Sequence, residues 1–441
     1  MANLTRRSFT LRTSLGLGRL AMASVATGVP AWFLSAPQQS TAQLRRFGDD
    51  VDPGRAQLLV LSTAGAGDPL NANAPGTYAF PDIVHPADPS MAETPLRLGD
   101  VETSAAQVWS TLPQWVLDRT AFVHHSTPTQ IHTDHPKVLE LMERAAQNEG
   151  MLEMFARYLA PTVGTLLDTP VSAGAGPVLK ANGRTIANQN PTLLRDLLAQ
   201  PEGPLTNLAT LRDATLDKIH LELKANGTPD QRAFLDNVAT SRDQARNLAN
   251  DVVSILGEIN DNRETGQLLA AIALLKLKLS STIAIDFAFG RDNHADPGLA
   301  DEIAQHQTGV AAIAQLMERL RAEGLAEQTT FAIMNVFGRT LVRNGLEGRD
   351  HWKNHHVSLI VGRNVRAGVY GGIKKFDNGL FSDYTAMDIN PDTGAGEDEA
   401  SILLDDTFFG VAKTLGRALG IHGTTLDANL APGQAISAAL T

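Results

Sequence analysis

Short apolar runs alternate with longer stretches of helical spacing along most of this chain. Residues 58–62 (Leu-Leu-Val-Leu-Ser), 120–124, 281–288, 328–336 and 357–361 are apolar, β-branched or aromatic, and too short for helices. Such runs, bounded by Gly, Pro and polar clusters, predict buried strands. Between them, residues 137–159, 299–323 and 405–419 repeat apolar side chains every three to four positions and predict helices, with Pro136 suited to a first helical turn. Residues 191–280 read as one long helical insertion, a cap over a site being the working expectation. Residues 72–100 read as an ordered loop, and 161–188 show little pattern. Strand–helix alternation around a helical insert predicts an α/β fold, with a mostly parallel central sheet flanked by helices.

The amino-terminal stretch follows another logic. Thr5, Arg6, Arg7, Ser8 and Phe9 match a twin-arginine export signal, a mildly apolar stretch covers residues 14–36, and Ser40, Thr41 and Ala42 form a small-residue cleavage site. The expected organisation is a signal peptide over 1–42, a polar linker over 43–56, one domain over 57–425 and a tail over 426–441. Export through the twin-arginine machinery to the periplasm or beyond follows. No later stretch is long and apolar enough to predict a stable membrane span.

Bulk composition narrows the chemistry. At 441 residues with 43% hydrophobic and 19% charged residues, the chain is globular rather than disordered. A net charge of −11 argues against a nucleic-acid partner held through its phosphates. With no Cys, any metal must rest on His, carboxylate and carbonyl ligands.

Four places combine such ligands with a strand end, where open α/β sheets build their sites. Asp68 and Asn71 follow the first strand, as a cation-holding carboxylate or simply as a turn. His124, His125, His132 and His135 follow the second, interleaved with Ser126, Thr133 and Asp134. A hydroxyl among imidazoles suits a nucleophile, and Asp134 suits a helix cap. Asp292 and His294 follow the third, two residues apart, able to converge on one ion. Arg339, Asp350, His351, His355 and His356 follow the fourth. Arg339 is either a fork for a tetrahedral anion or half of an internal salt bridge.

The order of these pieces over residues 57–420 resembles a family of uncharacterised, twin-arginine-exported bacterial proteins with an alkaline-phosphatase-like (sulfatase-like) fold. The family's Ser-Glu-Phe-Gly-Arg-Thr appears here as Asn335-Val336-Phe337-Gly338-Arg339-Thr340, and its Gly-Thr-Asp-His-Gly as Gly348-Arg349-Asp350-His351-Trp352. The resemblance implies a metal-dependent hydrolase of small anionic phosphate or sulfate esters. It implies one or two divalent ions, zinc or calcium, on Asp68, Asp292, His294, Asp350 and His351, with Thr133 or Ser126 as nucleophile. The family's acidic residue is Val336 here, its last glycine is Trp352, and the first turn lacks the usual Gly-Gly-Asn. Losing one ligand leaves room for an alternative, a non-catalytic envelope binding or assembly protein on the same fold.

Overall fold

The structure, a computed structural model, describes residues 49–68, 70–139, 150–174, 179–181, 184–186, 188–198, 218, 221–222, 224–225, 252–287, 289–430 and 433–441. The leader expected over 1–42 and most of the helical stretch 199–251 lie outside them.

Seven strands form the central sheet: β1 Leu58–Ser62, β2 Thr120–His125, β3 Val171–Ser172, β4 Thr282–Ile285, β5 Thr329–Ile333, β6 His356–Val361 and β7 Gly368–Tyr370. Their order across the sheet is β7-β2-β6-β5-β1-β4-β3. β1 pairs in parallel with β4 and β5, β3 with β4, and β7 with β2. β6 runs antiparallel to both β5 and β2. Reversal matters for the site: the first residue of β6, His356, faces the last residue of β2, His125, so β6 starts at the edge where its neighbours end.

Alternation along each strand divides the core in two. Leu58 and Val60 of β1, with Ile283, Ile285, Phe331 and Ile333, pack beneath helices α2 Glu264–Lys276 and α3 Ala300–Ala322. Leu59 and Leu61, with Ala284 and Ala332, pack against α1 Met151–Val163 and α4 Thr407–Ala418. Burial on both faces explains why β1 and β5 read as unbroken apolar runs.

Several segments differ from the sequence reading. Residues 72–100 hold a strand, Glu93–Leu98, paired antiparallel with Val101–Ala106, with Leu96 and Leu98 buried beneath it. Pro95 masked that alternation. Within the stretch 137–159 the described residues form a helix over His135–Leu139 and α1 from Met151, capped by Gly150, while residues 140–149 lie outside the described residues. Within the expected insertion, α2 is buried from Gly266 to Leu275 and packs on the sheet. A helix apolar on all sides belongs in a core, so this part is a layer of the domain rather than a cap. Residues near both ends are also fixed: Val51 bridges to Ile421, and Val365 to Leu440. Among the described residues no helix is long and apolar enough to cross a membrane.

One buried ion pair ties the loops above the sheet together. Arg349 donates from Nε to Glu302 Oε2 at 2.6 Å and from Nη2 to Glu302 Oε1 at 2.9 Å. Both side chains are fully buried. The other guanidinium N–H groups reach Thr340 O, Leu341 O and Val84 O at 2.6–3.1 Å. Glu302 also accepts from Asn73 Nδ2 at 2.6 Å and Asn293 Nδ2 at 3.1 Å. The pair thereby joins the loop after β1, the loop after β4, the first turn of α3 and the segment after β5. Gly348 completes the junction, since a Cβ there would lie 2.2 Å from Asn293 O. Removing one partner strands a buried charge. Arg349→Met is expected to lower the unfolding free energy by about 3–5 kcal/mol in urea denaturation. A loss below about 1 kcal/mol, the scale of a surface pair, would contradict this role.

Candidate metal centre

The carboxyl-edge loops bring together His132, Asp292 and His351, each offering one ligand atom within 4.8 Å of the other two. His132 comes from the 3-10 turn His132–Asp134 in the segment after β2. Asp292 comes from the loop after β4. His351 comes from the two-residue strand His351–Trp352, which pairs with Gly338–Arg339 beyond β5. His132 Nε2 lies 3.7 Å from Asp292 Oδ2. The two imidazole centroids lie 4.5 Å apart, nearly perpendicular.

Hydrogen bonding prepares these groups as ligands. His132 donates from Nδ1 to Gly65 O at 2.7 Å, and His351 from Nδ1 to Gln130 O at 2.9 Å. A carbonyl only accepts, so in both rings Nδ1 carries a proton and Nε2 is the nitrogen turned toward the group. Burial lowers the His351 pKa, and the Arg339 charge lowers it further, which keeps the ring neutral. Partial burial pushes Asp292 upward, but Arg339, the His294 N–H and His132 outweigh it and hold the carboxylate below its usual range. A neutral His351 and an ionised Asp292 are the protonation states a metal requires of them. Asp292 is 52% exposed and His132 38%, so the group opens to solvent. Two nitrogens and one oxygen fit zinc or another first-row ion, whereas calcium takes six to eight oxygens.

The remaining sequence-derived residues fall around this group. His294 Nε2 lies 3.0 Å from Asp350 Oδ1, and Asn344 Nδ2 donates to that oxygen at 2.9 Å. Their pair flanks the three ligands, with the His294 ring 5.3 Å from that of His351. Arg339 is buried. It donates to Asp292 Oδ1 at 2.9 Å, to Arg349 O at 3.1 Å and to Ala66 O. Of its two readings, the salt bridge is the one formed, and the fork holds the Asp292 carboxylate. Ser126 is buried and donates from Oγ to Leu404 O at 2.5 Å, beside Thr407 at the start of α4. Its hydroxyl is committed to that carbonyl. Thr133 is exposed, next to His132. Val336 is fully buried in the apolar cluster on the α1 and α4 side.

Asp68 lies apart, in a buried polar chain. Its Oδ1 accepts from Leu70 N at 2.8 Å, and its Oδ2 faces His356 Nε2 at 3.4 Å. His356 Nδ1 is 3.2 Å from His125 Nε2, and His125 Nδ1 is 2.5 Å from Ser126 O. The Ser126 carbonyl fixes a proton on His125 Nδ1, which leaves Nε2 as an acceptor between Ser358 Oγ at 2.8 Å and His356 Nδ1. Burial raises the Asp68 pKa to about 8, which favours its neutral form. His355 pairs instead with His124, Nε2 to Nδ1 at 2.9 Å. Burial holds all four of these imidazoles well below the usual histidine range, His124 at about 4 and His125 at about 3. Neither His355 nor His356 joins the three ligands.

Sequence reasoning named Asp292 and His351 as ligands but left His132 unassigned. The His-rich patch offered four equivalent imidazoles, and no spacing rule links any of them to a residue so distant in the chain. Residues 277–385 match a family model described as "Protein of unknown function (DUF1501)". The matched stretch includes Asp292, His294, Arg339, Asp350 and His351 but neither Asp68 nor His132. A comparison with curated proteins gives no match.

The Asp68 assignment has a pH signature. A carboxyl whose folded pKa is raised contributes stability in full below its unfolded pKa near 4 and loses it as pH climbs to about 8. Asn keeps the shape and stays neutral at every pH. Asp68→Asn is therefore expected to match the parent in urea midpoint at pH 4 and to exceed it increasingly up to pH 8. A variant weaker than the parent at pH 8 would mean that Asp68 works as an anion.

Proposed function

We propose that this chain is an exported, metal-dependent hydrolase of phosphate or sulfate esters on an alkaline-phosphatase-like sheet. The observation that carries the reading is the convergence of His132, Asp292 and His351, with both imidazoles anchored through Nδ1 so that Nε2 is the nitrogen available to an ion. Catalytic zinc sites use three protein ligands and leave a position open. A half-exposed group at the carboxyl edge of a mostly parallel sheet meets both conditions.

Bound there, a divalent ion supplies Lewis acidity toward an ester oxygen. The chain's own residues hold and orient it. Asp292 is kept ionised by Arg339, while His132 and His351 are kept in one tautomer by backbone carbonyls. With the Ser126 hydroxyl committed to Leu404, Thr133 is the remaining candidate nucleophile of the two. The twin-arginine leader suits a protein folded, and metal-loaded, before export.

Two observations favour the non-catalytic alternative. Val336 offers no acidic ligand, and buried Arg339 offers no fork to a substrate anion. A metal assay combined with an ester assay separates the readings. Leader-free protein is expected to retain zinc after exhaustive dialysis, to lose it in His132→Ala and Asp292→Ala, and to hydrolyse an aryl phosphate or aryl sulfate only when loaded. Retained zinc without hydrolysis would favour a binding protein. A folded protein that retains no ion would end the proposal.

A further inference from the structure

We infer that Phe337 is a positioning residue for the whole ligand group. The inference rests on the proposed cation site and adds what keeps its three side chains in register. Phe337 is fully buried just beyond the end of β5. Its ring stacks on His351 with centroids 4.5 Å apart and planes 29° from parallel. The same ring meets His132 edge-on at 5.0 Å. Arg339 Cζ, whose guanidinium holds Asp292, sits 5.3 Å from the ring centroid. One rigid aromatic plane thus touches two ligands directly and the third through Arg339.

Each backbone carbonyl anchors only the Nδ1 edge of its imidazole. The Phe337 ring supports both imidazoles from a second side, and the guanidinium on the ring is held by its electrostatic field. The fold also makes room for this ring specifically. Gly67 has φ +91°, and a Cβ there would lie 2.6 Å from Phe337 Cε2 and 2.8 Å from Arg339 Nε. The turn after β1 therefore closes onto the Phe337–Arg339 stack with no side chain between.

Phe337 also belongs to the apolar cluster that contains its neighbour Val336, and the test must separate core filling from positioning. Leader-free wild type, Phe337→Leu, Phe337→Met and Val336→Ala would be titrated with cobalt(II). The visible spectrum reports ligand geometry, zinc competition reports affinity, and urea midpoints of the metal-free forms report stability. Loss of a group that orients ligands typically lowers metal affinity about 10–100-fold. Phe337→Leu and Phe337→Met are expected to fall in that range and to change the cobalt spectrum. Val336→Ala is expected to lower the midpoint at least as much while binding cobalt as the wild type does. Wild-type affinity and spectrum in both Phe337 variants would overturn the inference, as would an equal loss of affinity in Val336→Ala. Failure of both Phe337 variants to fold would also overturn it, by making the ring a core residue first. If the wild type takes up no cobalt, the cation site itself fails, and the positioning role falls with it.

Discussion

The bidentate contact between Glu302 and Arg349 is the constraint on which the upper half of this molecule depends. Taking two charges out of water is costly, and well-packed apolar residues often stabilise a fold as much. What the pair supplies is a unique arrangement. Arg349 can satisfy its donors only when residues 84, 340 and 341 present their carbonyls, and Glu302 only when Asn73 and Asn293 arrive together. The Asp292 and His351 loops are thereby locked to each other one residue from Asp292 and two residues from His351. Asp296 adds a second anchor, accepting from the Asp301 and Glu302 N–H groups at the start of α3.

From that junction the electrostatics divide into two regions. On the open side, Arg339 keeps Asp292 ionised beside the neutral His351 ring. On the closed side, burial favours a neutral Asp68 and keeps four imidazoles neutral, paired as His125 with His356 and His124 with His355. The two sides lie close together, since the Arg339 charge also acts on Asp68. Desolvation outweighs that attraction for Asp68, whereas for half-exposed Asp292 the direct hydrogen bond and the charge prevail.

Much of the fold was legible in the sequence because its strands are buried on both faces. Such runs stay apolar without interruption, and those of β1, β2, β5 and β6 can be placed to within a few residues. β3 was hidden because it is two residues long, and the Glu93–Leu98 strand because Pro95 breaks its pattern. The antiparallel direction of β6 leaves no mark on local composition. It explains, however, why His355 and His356 reach the same edge as His124 and His125.

The site was half legible, for a related reason. Asp292 follows a strand-like run as half of an Asp-x-His pair, and His351 belongs to the Asp-His pair that carries the family resemblance, so both stood out. His132 was one of four imidazoles in a single patch, and its place appears only when Gly65 O and Asp292 are both in position. Arg349 and Glu302 drew no role of their own, since sequence gives no sign that they meet and are buried together. Val336 marked a departure from the family pattern, and the structure places it in apolar packing. The most direct test of the account is anomalous X-ray scattering from leader-free protein crystallised with zinc. The account predicts a single strong peak bonded to His132 Nε2, Asp292 and His351 Nε2. A peak between Asp68 and His356, or between His294 and Asp350 without His132, would contradict it.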